Sequence, residues 1–295
     1  MKYRSAAAAL AAACLVSSLA GCASFRAIEP LPEAKRPFAV AVSTEPPSTM
    51  TDMPIGVYQV ADSTLYISGH QKGQAAGLLF GLLGVAVAHG VNQDEARQRV
   101  KEAEAKLHTQ LIDGTRKLLE EKLQRNPAAG AVAAPAGAGS TLELTPFVVL
   151  TYVNDERARP FVIVKARLLD AAKQETWWTR YVVSGSEDRP IDGNAGWAAD
   201  QGRPLREAVR QGLDTALDVM LMDTAGTLPR GKGRPAKLKG RYAFVQQEIE
   251  LSGEILEETP ERIVFAPRIG DVVVFSGINV FDQRTVAIGA ADPAK

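Results

Sequence analysis

Between Thr141 and Val183 the chain writes three strand patterns in succession, and this stretch limits the fold more than any other. Thr141 to Val153 and Pro160 to Leu169 are rich in β-branched and aromatic residues, and Glu175 to Val183 follows after the turn residues Asp170 to Gln174. Along Phe161 to Leu169, Val162, Val164, Ala166 and Leu168 fall on one face, with Lys165 and Arg167 on the other. Such alternation predicts half-buried antiparallel sheet, whose apolar face needs a cover. Pro204 to Met222 supplies one, because Leu205, Val209, Gly212, Leu213, Ala216 and Met220 recur at helical spacing. Trp177 and Trp178 are neighbours in the third strand, so their side chains leave on opposite faces. One enters the core; the other requires a second cover or a partner, which makes both residues candidate partner contacts.

Upstream, Phe38 to Ser43 reads as a strand, and Ile55 to Val60 with Thr64 to Ser68 as a hairpin around Ala61-Asp62-Ser63. Asn92 and Glu95 form a capping box that opens an amphipathic helix to about Gln124, with Asp113-Gly114 as a point where it can kink. Residues 126–140 are almost wholly Ala, Gly and Pro and predict a long surface loop. The basic stretch 227–240 reads as a linker and 241–295 as a small β module, with strands at Arg241–Gln247, Glu248–Leu256, Arg262–Pro267 and Asp271–Phe275. The expected fold class is therefore α+β: an antiparallel sheet covered by helices over 38–226, followed by the small C-terminal β module.

Gly73 to Gly90 stands apart from this pattern. Ala75 to Ala88 is unbroken apolar sequence, and Gly73, Gly77, Gly81 and Gly84 lie along one stripe of a helix. Each interior glycine costs a helix about 1 kcal/mol against alanine, so close packing against a neighbour must offset the loss. Small residues at this spacing let membrane helices approach closely, and resemble the glycine zippers of envelope proteins. A helix over Ala75–Ala88 nevertheless rises only about 21 Å, short of a hydrocarbon core of about 30 Å. The stripe either packs inside the fold or serves self-association or membrane contact.

The amino terminus adds an address. Lys2 and Arg4 precede an alanine-rich apolar run that closes on Leu19-Ala20-Gly21-Cys22, the layout of an export signal. Leu-Ala-Gly-Cys resembles the lipobox of bacterial lipoproteins. That resemblance implies removal of residues 1–21 and acylation of Cys22, palmitate among the chains. With Ala23 rather than aspartate next, it also implies the outer membrane, periplasmic face. Residues 22–37, with Pro30, Pro32 and Pro37, read as a tether.

The second cysteine, Cys14, leaves with the signal, so the mature chain has no thiol for a disulfide or a nucleophile. The 34 basic residues balance the 34 acidic ones, and losing Lys2 and Arg4 leaves the remainder slightly acidic, which argues against nucleic acid as a partner. His70, His89 and His108 have no second ligand at helical spacing, so no metal is expected. No Gly-x-Ser-x-Gly elbow, phosphate loop or dinucleotide fingerprint occurs, so neither a cofactor nor catalysis is expected.

The strand and helix order, with Leu168-Leu169-Asp170 leading into Glu175-Thr-Trp-Trp-Thr-Arg-Tyr181, resembles envelope lipoprotein domains like CsgG or the N-terminal part of TolB, over Phe38 to Asp223. The resemblance implies a non-enzymatic binding or accessory subunit of an outer-membrane transport or assembly machine. A homo-oligomer built through residues 73–88 is the alternative, and a periplasmic hydrolase a third.

Overall fold

A computed structural model of the chain describes residues 29–32, 37–48, 52–54, 56–69, 95–125, 139–268 and 275–291. Cys22, Gly73, Gly77, Gly81 and Gly84 lie outside the described residues, as do the Asp271–Phe275 strand up to residue 274 and most of the Ala/Gly/Pro loop.

The β-rich middle of the chain forms the centre. Strands β1 (Ala39–Val42), β2 (Tyr58–Gln59) and β3 (Leu65–Ser68) precede the three long strands β4 (Thr141–Tyr152), β5 (Arg157–Leu169) and β6 (Glu175–Ser184). Strands β4, β5 and β6 pair antiparallel through local turns. At the β5–β6 turn the Asp170 carboxylate accepts from the backbone N–H of Ala172 and of Gln174, which is why aspartate stands there. The short β7 (Arg189–Pro190) continues along β5 where β6 leaves it. Strands β8 (Arg234–Arg241), β9 (Glu248–Glu258), β10 (Arg262–Pro267), β11 (Ile278–Asp282) and β12 (Ala287–Ala290) complete the set.

The twelve strands among the described residues belong to one sheet, in the order β12-β8-β9-β10-β11-β6-β5-β4-β3-β2, with β1 also on β4 and β7 on β5. This overturns the expected helix-covered antiparallel α+β fold. The sheet is mixed, because β1 and β3 both run parallel to β4, and β11 runs parallel to β6. The last of these pairings makes the C-terminal strands continuous with the central ones. A parallel pair needs a long crossover rather than a tight turn, so no local sequence signal announces it. The basic stretch also contributes: Ala236, Leu238 and Gly240 are buried along β8 while the intervening cations point outward. Tyr242 to Val245, expected within a strand, instead form a buried turn.

Among the described residues, helices cover one face only. The short helix over residues 95–100, here α1, is followed by a 3-10 turn at Glu104–Lys106 and by the helices α2 (Leu111–Arg125) and α3 (Ala199–Thr224). The expected single helix to Gln124 is thus interrupted at 101–110. Gly114 lies within α2, so the break does not fall there. Its site is set by tertiary contacts: Glu104 accepts from the Tyr58 hydroxyl at 2.6 Å and from the Ala61 N–H at 3.2 Å. In α3, Asp200, Gln201 and Gly202 have positive φ, and regular helix begins beyond them with Pro204 in its first turn, where proline is tolerated. Gly212 lets α3 sit directly on β5; a Cβ there would lie 2.7 Å from the Val162 side chain.

Leu205, Val209, Leu213, Ala216 and Met220 of α3 share the main core with Val162, Val164, Leu168, Trp177 and Tyr181. Across the sheet a second apolar cluster joins Tyr66, Phe147, Val149, Phe161, Ile163 and Val182. No helix covers it among the described residues. Met53, Val57, Ala243 and Phe244 lie over it from loops, Phe244 being held by its N–H to the Thr151 hydroxyl at 3.0 Å. A third cluster, including Leu238, Tyr242, Phe265, Phe275 and Phe281, packs the C-terminal strands.

Candidate functional site

Trp177 and Trp178 do part to opposite faces, and each stands beside a buried arginine. On the helix side Trp177 is 4% exposed. Arg230 lies over its ring at 5.9 Å and donates from Nε to the Asp223 carboxylate at 2.6 Å. Asp223 also accepts from the Tyr181 hydroxyl at 2.6 Å, and Arg230 donates to the Thr179 hydroxyl. Burial, and then the Asp223 charge, hold the Tyr181 hydroxyl well above its ordinary pKa. The Glu29 carbonyl closes this cluster by accepting from Trp177 Nε1 at 3.0 Å and Arg230 Nη1 at 3.1 Å, and Leu31 two residues on is buried in the main core. Residues 29–31, within the expected tether, are therefore packed onto the body.

On the other face Trp178 is half-buried, with the Arg180 guanidinium 5.8 Å from its ring and Arg167 opposite it in register. Arg180 is buried and donates to both the Asp52 carboxylate and the Asp52 carbonyl, each at 3.0 Å. Lys165 reaches the same carboxylate at 2.7 Å, and Arg167 pairs with Glu143 of β4. Burial alone would raise the Asp52 carboxyl, but the Lys165 hydrogen bond and the charges of Arg180 and Lys165 outweigh it and hold the group below its usual range. Nearby, burial and then the Asp52 charge push the Tyr66 hydroxyl up to about 12.

From Asp52 outward the cluster opens toward water. Side-chain exposure rises from 1% at Arg180 and 5% at Asp52 to 24% at Glu143 and 32% at Arg167. Arg167 Nε is buried without a hydrogen-bond partner among the described residues. An aromatic ring flanked by guanidinium groups is suited to binding, since tryptophan and arginine are the residues on which interface energy concentrates. No group of three or more metal-ligating side chains occurs among the described residues.

The sequence marks the tryptophan pair and sets Lys165 and Arg167 on the polar face of β5, but it gives no sign that Asp52 and Arg180 join them. Asp52 and Arg180 are 128 positions apart, and only the folded sheet brings them together. None of the described helices is long and apolar enough to cross a membrane.

No family model matches the chain, and no curated protein does. A solved structure described as a putative lipoprotein from Caulobacter crescentus CB15 is 22% identical, over 44% of this chain and 96% of that one. Its TM-score of 0.26 carries no argument about fold or function.

Proposed function

We propose that this chain is a lipid-anchored protein of the outer membrane that acts as a non-enzymatic binding or accessory subunit of an envelope transport or assembly machine, and that it meets its protein partner through Trp178 and Arg167. One observation carries the reading. Trp178 stays partly open on a sheet face that loops otherwise cover, between a buried Arg180 and an Arg167 whose side chain is 32% exposed. The lipobox ending in Cys22 supplies the address and the anchor.

A photo-crosslinking residue at Thr176, exposed two positions from Trp178 on the same strand, tests this in cells. The expected result is a discrete adduct that disappears with Trp178→Ala and is absent when the crosslinker sits at Arg284, an exposed position outside this strand. Equal adducts at both positions, or none at Thr176, would remove the proposal.

A further inference from the structure

We infer that residues 29–31 form a clasp that fixes how the body stands on the bilayer, with the Asp170–Gln174 turn and the Gly231-Lys232 turn against the lipid head groups. The inference rests on the reading of Cys22 as a lipid anchor and goes beyond it. Glu29 is the seventh residue after Cys22, so the chain between them spans at most about 25 Å fully extended. A folded body of this length is roughly 45 Å across. Were residues 22–37 all free tether, the body could turn in many ways above the membrane. With Glu29 held by Trp177 and Arg230 and Leu31 in the core, the free span is too short to reach around the body. The end of the sheet that holds Glu29 must then face the anchor.

That end can be named from the strand register. Trp177 pairs with Leu168, close to the Asp170–Gln174 turn, whereas Asn154 to Glu156 turn the chain at the opposite end of β5. The two turns are separated by the length of β5, about 40 Å at 3.3 Å per residue. Lys173 at the tip of the near turn and Lys232 beside Arg230 are both exposed, which places cationic side chains toward lipid phosphates. Trp178 and Arg167 lie near the same end, so a partner that reaches them also works at the membrane surface.

The test uses the full lipidated chain in vesicles of phosphatidylethanolamine and phosphatidylglycerol. The mature sequence has no cysteine beyond Cys22, so Lys173→Cys and Glu156→Cys each provide a single site for a fluorophore. Quenching by a head-group-labelled lipid is expected to be several-fold stronger at position 173 than at 156. Inserting a flexible linker of roughly 20 residues between Ile28 and Glu29 is expected to equalise the two. Equal quenching with the native spacing, or stronger quenching at 156, overturns the clasp. Flotation with the vesicles, and its loss on Cys22→Ser, reports on the anchor separately. A chain that does not float removes the anchor and the orientation together, and one that floats with equal quenching removes the clasp alone.

Discussion

The clusters around Asp223 and Asp52 use the same chemistry on opposite faces of one strand, a carboxylate against a buried arginine that stacks near a tryptophan, and they differ in how far each is closed. Asp223 and Arg230 are each 1% exposed, and every neighbour named above, Tyr181, Thr179, Trp177 and the Glu29 carbonyl, belongs to the chain itself. Asp52 and Arg180 are nearly as buried, but Lys165 is 14% exposed and leads outward toward Arg167. A sealed ion pair has nothing left to offer a partner. A graded one can pass from core to surface and keep its outermost groups, Trp178 and Arg167, in position without holding them inside.

The largest effect expected from this contrast is on stability. Removing one partner of a buried pair strands the other charge and costs about 3–5 kcal/mol. Asp223→Ala strands Arg230, leaves the Tyr181 hydroxyl without its acceptor and loosens the hold on Glu29, so it should fall in that range in urea unfolding. Asp52→Ala strands Arg180, yet Lys165 can turn toward water, and the loss should be smaller, about 2–3 kcal/mol. If Asp52→Ala proves the more damaging variant, the two clusters have been ranked the wrong way round.

Acid tests the open cluster next. The Asp52 carboxyl is held below its ordinary value of 3.8, so the folded state binds its proton less readily than the unfolded chain does. Its contribution to stability is full above about pH 4 and is lost as pH falls through the lower folded value. Glu104, lowered first by its hydrogen bond from Tyr58, and Asp282, lowered first by its hydrogen bond from Arg284, act in the same direction. Thermal unfolding below pH 4 should therefore steepen in its pH dependence, and Asp52→Asn should flatten part of that slope. An unchanged slope in Asp52→Asn would mean that the carboxylate is not held by Lys165 and Arg180 in solution.

What could be read from the sequence follows the range of each signal. The hairpins β4–β5 and β5–β6 are announced by alternation and by Asp170, and α3 by its apolar period, because in each the cause lies within a few residues of the effect. The parallel pairing of β11 with β6 and of β1 and β3 with β4 has no such local cause, so the sequence pattern shows the antiparallel hairpins and not the mixed sheet they belong to. Strand β8 was hidden for a different reason: its buried positions are only Ala236, Leu238 and Gly240, too small to outweigh the cations between them. The candidate site shows the same division. The Trp177-Trp178 doublet requires one ring on each face wherever the strand lies. The identity of the groups around each ring depends on Asp52, Arg230 and Glu29, which come from distant parts of the chain.

The smallest stability effect is the one that bears on function. Arg167 and Glu143 are both accessible enough to regain water when parted, so Arg167→Ala should cost no more than about 1 kcal/mol, and Trp178→Ala, which removes a partly exposed ring, should cost less than the loss of a fully buried one. Neither should move the unfolding midpoint as Asp223→Ala does, yet both should abolish the adduct expected from Thr176. That dissociation distinguishes a contact surface from a piece of core. A tryptophan that only fills space would cost about 3–5 kcal/mol on truncation and lose its adduct because the strand itself had shifted. If Trp178→Ala unfolds as readily as Asp223→Ala, the ring is part of the packing, and the open side of the Asp52 cluster has a structural role like that of the closed one.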